Sequence, residues 1–322
     1  MQNTKYPMVT SENDRFWSRY CGFFDLSLSQ FMVIQETTLM QHLQRVAASD
    51  LGKDIMGSRP PQSVEEFRNR VPLTTYEDYI PYFREDRVSA LPARPHVWAH
   101  TSSGSRSFKL VPYTTEFYNR QLDSLMAVLI LSCSKRKGQS SIQEYDRVLH
   151  NVAPMPYLSG ILASGASERF NLVPIITPDE HDGLDFKEKV AKGFELSLAS
   201  GVDIIIAMTS VLVKMGHDFN RRSSRSQKSQ YLAHPKVLCR YARAWLRSRL
   251  RGRNILPKDL WPVRSVIGWG TDTRIYREQV REYWGTYPYE FHACTEAGIM
   301  AMQSWNRGDL TLLPYSNFFE FI

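Results

Sequence analysis

The chain has 322 residues, 43% hydrophobic, 12% aromatic and 23% charged, which is the composition of a globular protein and excludes a disordered, collagenous or coiled-coil chain. The length allows about two domains or one large α/β domain, and the longest apolar runs, Leu125 to Leu131 and Val202 to Met208, fall far short of the ~18 residues that a membrane span requires. The 40 Lys and Arg against 33 Asp and Glu leave a formal +7, which suits anionic partners without choosing among nucleotides, nucleic acid and a plain basic surface.

Met1 to Trp17 carries Glu12 and Asp14 and no basic-then-apolar segment, so no secretory signal is readable and a cytoplasmic setting is expected. Residues 24 to 48 have mostly helical apolar spacing and predict one or two helices. Ser63 stands three residues before Glu66 in a capping-box pattern, and Val71-Pro72 closes that helix; a further short helix starts at Thr75. Val97 to His100 reads as a strand that runs into Thr101-Ser102-Ser103-Gly104-Ser105, with a second strand at Leu110-Val111-Pro112. Thr115 opens an amphipathic helix to about Ser132.

Leu172 to Ile176 and Val202 to Ala207 read as buried strands flanking a helix over Asp185 to Ser200. A helix over Pro235 to Arg251, a strand over Arg264 to Trp269, a helix over Arg274 to Tyr283 and a strand over Tyr289 to Ala293 complete the series. This alternation predicts an α/β fold with a largely parallel sheet flanked by helices. Arg221 to Ser229, basic and hydroxyl-rich, is expected to be an exposed loop. Leu310 to Pro314 and Phe318 to Ile322 read as two strands; the last stops without a polar tail, which points to the front part of a longer protein. The four cysteines, Cys21, Cys133, Cys239 and Cys294, show neither CxxC nor zinc-ligand spacing and are expected as reduced thiols.

Three segments could carry chemistry. The loop Thr101 to Lys109 offers backbone N–H groups, hydroxyls and one ammonium, a set that suits polyphosphate, though ordinary polar turns have the same composition. It is not a Walker loop, and the nearest lookalike, Gly160 to Gly165, is followed by Ala166. His292-Ala293-Cys294-Thr295-Glu296 lies at the end of a strand, where Thr295 can donate a hydrogen bond and Glu296 can hold Mg²⁺ beside phosphates, or Thr295 can simply cap a helix. Gly268-Trp269-Gly270-Thr271-Asp272 reads as a tight strand-to-helix turn, because Thr273 occupies the third-glycine position of a dinucleotide fingerprint.

Taken together and in this order, these segments resemble the auxin-responsive Gretchen Hagen acyl-acid amido synthetases of the adenylate-forming superfamily. The family's phosphate loop is mirrored by Thr101 to Ser105 with Lys109-Leu110-Val111-Pro112, its acidic motif by His292 to Glu296, and a later segment by Leu312-Leu313-Pro314 and Phe318 to Phe321. Weaker echoes lie at Val71 to Tyr79 and Leu256 to Pro262, so the resemblance runs from about residue 36 to the end.

The resemblance implies an adenylate-forming large domain over 96–322 behind a helical segment over 1–95. It also implies ATP and Mg²⁺ as cofactors, a small carboxylic acid as substrate and an amine, or in related enzymes a thiol, as acceptor. On it, Thr101, Ser102, Ser103, Gly104 and Ser105 would hold phosphates, with Lys109 beside them. Glu296 would hold Mg²⁺, Thr295 would donate to the α-phosphate or the substrate carboxylate, and Gly270, Thr271, His292, Ala293 and Cys294 would border the nucleotide.

This chain departs from the pattern in a phosphate loop about two residues short, with Arg106 near the place of a glycine, and in His292 for a tyrosine. The family's ribose-binding aspartate, hinge and C-terminal lid domain would come after Ile322 and so are absent from this chain.

Competing readings are a Cys294/His292 pair, a degenerate scaffold that binds without catalysis, and nucleic-acid binding through Arg240, Arg243, Arg247 and Arg251, which share a helix face. A solvated amphipathic helix explains that face equally, so nucleic acid is disfavoured; no membrane partner is expected, and the oligomeric state is left open.

Overall fold

The computed structural model describes residues 13–101, 109–177, 185–223, 235–270 and 273–321. Five helices come first: α1 (Asn13–Cys21), α2 (Leu28–Ala47), α3 (Asp50–Met56), α4 (Val64–Arg70) and α5 (Tyr76–Tyr79). Their starts are set by capping chemistry. The Ser27 hydroxyl accepts from the Gln30 N–H while the Gln30 side chain accepts from the Ser27 N–H. At α4 the Ser63 hydroxyl accepts from the Glu66 N–H at 3.0 Å, but the Glu66 carboxylate takes the Gln62 N–H at 2.7 Å, one residue earlier than a capping box requires.

An antiparallel pair, β1 (Val97–His100) and β2 (Leu110–Tyr113), precedes α6 (Thr115–Ser132), which is buried almost all round from Gln121 onward. After the small hairpin of β3 (Ser134–Arg136) and β4 (Gln139–Ser140), the main sheet begins with β5 (Arg147–Asn151), α7 (Leu158–Arg169) and β6 (Val173–Pro174). It continues through α8 (Phe186–Ser200), β7 (Ile204–Met208), α9 (Thr209–Ser223), α10 (Pro235–Leu250), α11 (Pro257–Leu260), β8 (Ser265–Trp269) and α12 (Thr273–Trp284). It ends with β9 (Tyr289–Cys294), β10 (Gly298–Gln303) and β11 (Leu310–Leu312).

The sheet order is β11-β10-β9-β8-β7-β5-β6, parallel from β6 to β9 and antiparallel from β9 to β11. Alternation along the strands feeds two cores. Val148, Ile204, Ile206 and Ile267 join the core built on α6 and α7, whereas Leu149, Ile205, Ala207 and Val266 join the core built on α8, α9, α10 and α12. Each isoleucine so buried contributes roughly 1.5–3 kcal/mol. Among the described residues no helix is long and apolar enough to cross a membrane.

Two expected strands differ. The apolar run at Leu172 to Ile176 contributes only the two residues of β6, because Asn171 takes a left-handed φ of 52° just before it. Phe318 to Phe321 forms no strand: the buried Gln35 side chain of α2 takes its backbone instead, donating to the carbonyls of Pro314 and Asn317 at 2.7 Å each and accepting from the Phe319 N–H at 2.9 Å. The expected basic loop is in part helix, since α9 reaches Ser223; 224–229 lies outside the described residues.

The amino edge of the sheet is pinned by charge. Arg147 donates to Asp203 from its backbone N–H (2.9 Å), Nε (2.7 Å) and Nη2 (2.9 Å). Burial would raise the Asp203 carboxyl, but these bonds outweigh it and hold the carboxyl below its ordinary range. A carboxyl depressed in this way stabilises the fold fully above its unfolded value near 4, and the contribution is lost as pH falls through the folded value. Asp203→Asn is expected to cost about 1–2 kcal/mol at pH 7, with allowance for partial solvent screening. Urea melts of both proteins should show the gap narrowing below pH 4.

Candidate functional site

In an open parallel sheet the carboxyl ends of the strands meet loops rather than packed helices, and side chains are free there for chemistry. Here that edge is formed by the ends of β5, β7, β8 and β9. Thr209 and Thr273, the first residues of α9 and α12, meet there hydroxyl to hydroxyl at 2.8 Å, and Thr273 Oγ1 also donates to the Gly270 carbonyl at 3.0 Å. Gly270 has φ +129° and faces open space, so its exposed backbone depends on glycine. Thr271 lies outside the described residues.

β9 and β10 are joined by the tight turn Thr295-Glu296-Ala297, closed by Gly298 at φ +68°. Thr295 therefore caps no helix. The Thr295 carbonyl accepts from Tyr113 Oη of β2 at 2.7 Å, and the Ala297 carbonyl from Asn317 Nδ2 at 3.0 Å, so the turn is held from both sides. Glu296 is exposed at its tip, with no ion-pair partner among the described residues. His292 and Ala293 are exposed on β9, and Cys294 is half-buried. Burial first, and then the Glu296 charge, push the Cys294 thiol up, which disfavours the thiolate that a Cys/His nucleophile needs.

Ser102, Ser103, Gly104 and Ser105 lie outside the described residues, but both ends of their loop are placed. The Thr101 N–H donates to the Lys109 carbonyl at 3.1 Å, and the Lys109 N–H donates to Thr101 Oγ1 at 3.3 Å. The His100 N–H donates to the Pro156 carbonyl at 3.0 Å, which brings the loop base to the segment that leaves β5 at the carboxyl edge. Lys109 Nζ sits 4.9 Å from the centre of the Tyr76 ring. The Tyr76 hydroxyl in turn accepts from the Leu110 N–H at 2.8 Å and donates to the Leu110 carbonyl at 3.1 Å, fixing α5 to β2.

Sequence reading did not single out Tyr113, Thr209, Tyr76, Asn151 or Lys189. Tyr76 lies in an expected helix and Tyr113 one residue past an expected strand, with nothing local to announce that their hydroxyls would be used. Asn151 ends β5, with its Oδ1 buried and unbonded. Lys189 reaches the same place from α8 and donates to the Val152 carbonyl at 2.7 Å; burial lowers its ammonium to about 8.

The model of the GH3 family N-terminal domain matches residues 21–168, which include β1, β2 and the loop between them. Among solved structures, this chain is similar to AtGH3.15 acyl acid amido synthetase in complex with 2,4-DB (TM-score 0.63, 15% identity, covering 96% of this chain and 61% of that one). It is also similar to a second GH3.15 acyl acid amido synthetase structure (0.59, 15%, 97% and 60%). An open conformation of 2-hydroxyisobutyryl-CoA ligase in complex with 2-HIB-AMP and CoA matches as well (0.61, 13%, 96% and 63%). At such identities the likeness is one of fold alone. The chain spans about three fifths of the length of these structures. No curated protein matches the sequence.

Tyr113→Phe keeps the packing and removes only the hydroxyl that holds the Thr295 carbonyl. It is expected to cost about 1 kcal/mol and to speed amide exchange at Ala297 and Gly298 while β5 and β7 stay protected. Hydrogen exchange with mass spectrometry checks both.

Proposed function

We propose that this chain activates a carboxylic acid with ATP to an acyl-adenylate, with transfer of the acyl group to an amine. The observation that carries the reading is the placement of the Thr295-Glu296 turn at the carboxyl edge together with Gly270 and the base of the loop at Thr101 and Lys109. In the activation step a carboxylate oxygen of the acid attacks the α-phosphorus, and the bond to the pyrophosphate oxygen breaks. An amine nitrogen then attacks the acyl carbon, AMP leaves, and the amine gives up a proton.

The groups at this edge suit ATP with Mg²⁺. Glu296 is an exposed carboxylate with no ion pair among the described residues, and Mg²⁺ is commonly held by one or two carboxylates while phosphates and water complete its shell. No cluster of three His, Cys, Asp or Glu side chains suited to a metal exists among the described residues, so phosphates would supply the rest of the ligands. When bound, Mg²⁺ would offset the phosphate charge that repels an incoming carboxylate.

On this reading Glu296 holds the ion, and the Thr295 hydroxyl donates to the α-phosphate or the acid. Thr101 to Ser105 cradle the outer phosphates, with the Lys109 ammonium beside them. Gly270 and Thr271 border the nucleotide, and His292, Ala293 and Cys294 form the strand surface next to it, where the imidazole can lie against the adenine. The Tyr113 and Asn317 bonds keep the turn in place before substrate arrives, so little reorganisation is left for the reaction itself.

Calorimetric titration of Mg·ATP should detect binding that weakens by roughly tenfold in Glu296→Ala, the loss expected for one charge-assisted contact. A folded wild-type chain that does not bind Mg·ATP would sink the reading in favour of a non-catalytic scaffold. Acid-dependent exchange of labelled pyrophosphate into ATP then identifies the acid class.

A further inference from the structure

The opposite edge of the sheet, where β8 and β9 begin, carries a groove of about 580 Å³ between α11 and the C-terminal ends of α10 and α12. Its base is fixed by two buried tryptophans. Trp261 and Trp284 stack with centroids 6.3 Å apart and planes 12° from parallel, and each ring N–H is committed at 3.0 Å to a carbonyl, Ser197 and Leu212 respectively.

The walls are cationic: Arg247, Arg251, Lys258 and Arg281. The one acid that lines the groove, Asp259, is 4% exposed and already taken by Arg253 at 2.6 and 2.8 Å and by the Leu256 N–H at 2.9 Å. Arg251 approaches that carboxylate no nearer than 4.0 Å. Arg281 donates to Tyr287 Oη at 2.6 Å and lies 4.0 Å from the exposed Glu278, while Arg247 and Lys258 make no hydrogen bond or ion pair among the described residues. Burial, then Arg253, lower the Lys258 ammonium, and Asp259 and Glu282 only partly offset them.

Arg247, Arg251 and Arg281 sit at the C-terminal ends of α10 and α12, where the backbone dipole favours positive charge. Two helix ends supply only about −0.5 each, which leaves an excess that a ligand can neutralise. The volume is in the range of small-molecule sites, and guanidinium groups lining a concave groove fit multiply charged anions. A nucleic-acid backbone fits less well. It needs a continuous stripe, but Arg240, at one end of the row, turns away to donate to the carbonyls of Leu198 and Ala199, the latter at 2.9 Å.

We infer that this groove is a second ligand site, separate from the carboxyl edge, for a small organic polyanion with at least two phosphate or carboxylate groups. Arg247, Arg251 and Lys258 neutralise its charge.

The test uses inorganic tripolyphosphate as probe, titrated calorimetrically into the wild-type chain, into an Arg247→Gln/Arg251→Gln double variant and into an Arg243→Gln/Arg249→Gln control that removes the same charge outside the groove. The groove variant should lose roughly tenfold or more in affinity while keeping the thermal midpoint and the Mg·ATP affinity, and the control should lose little. Absence of tripolyphosphate binding, or equal losses in both variants, would overturn the assignment. So would a short single-stranded RNA that binds more tightly than tripolyphosphate and weakens in the control. Because Mg·ATP binding is read separately, failure here and failure of the adenylation reading remain distinguishable.

Discussion

β7 has to be buried on both faces. Its residues Ile204 to Ala207 are almost wholly inaccessible, and neighbours in register on β5 and β8 send their side chains to the same two sides: Val148 beside Ile204, Leu149 beside Ile205, and Val266 beside Ile205 on its other flank. A sheet with two apolar faces has to be covered twice, which assigns α6 and α7 to one side and α8, α9, α10 and α12 to the other. With both faces occupied, only the two edges remain for polar chemistry, and that is where the polar groups of interest are found.

The two edges use charge differently. At the amino edge Arg147 and Arg264 are satisfied within the chain, Arg147 by Asp203 and Arg264 by Asp146 at 3.0 Å. Burial raises the Asp146 carboxyl against the pull of Arg264, whereas the denser bonding around Asp203 reverses the same penalty. These pairs fasten strands to one another. At the carboxyl edge the bonds run mostly from side chains to backbone carbonyls, as from Tyr113 to Thr295 and from Lys189 to Val152, so they shape loops and leave Glu296 facing solvent.

Much of this was legible because long periodic segments announce themselves. α6, α8, α10 and α12 lie within a residue or two of where their apolar spacing and caps place them, and β7 and β8 are apolar runs with no competing reading. β5 is not readable in the same way because Arg147-Val-Leu-His-Asn is short and three of its five residues are polar; its strand character comes from β7 and β6 beside it. α7 was obscured by Gly160 and Gly165, which resemble a phosphate loop but serve close packing. A Cβ on Gly160 would lie 2.4 Å from the Pro154 backbone, and one on Gly165 2.1 Å from the Tyr118 hydroxyl on α6. Of the candidate site, the residue types and their order along the chain were readable. That Thr295 lies in a hairpin was not, since its partner strand is specified only by the residues after Gly298.

The Gln35 clamp has a consequence for the order in which the chain can complete itself. During synthesis α2 emerges early, but its central amide is buried and finds its partners only in Pro314, Asn317 and Phe319, some 280 residues later. Until then α2 can be helical without being docked, because closing the helix face over an unbonded amide would forfeit about 1–3 kcal/mol. The Gln35 face of α2 is thus completed only by residues 314–319, whereas its opposite contacts with α3 and α4 are local in sequence.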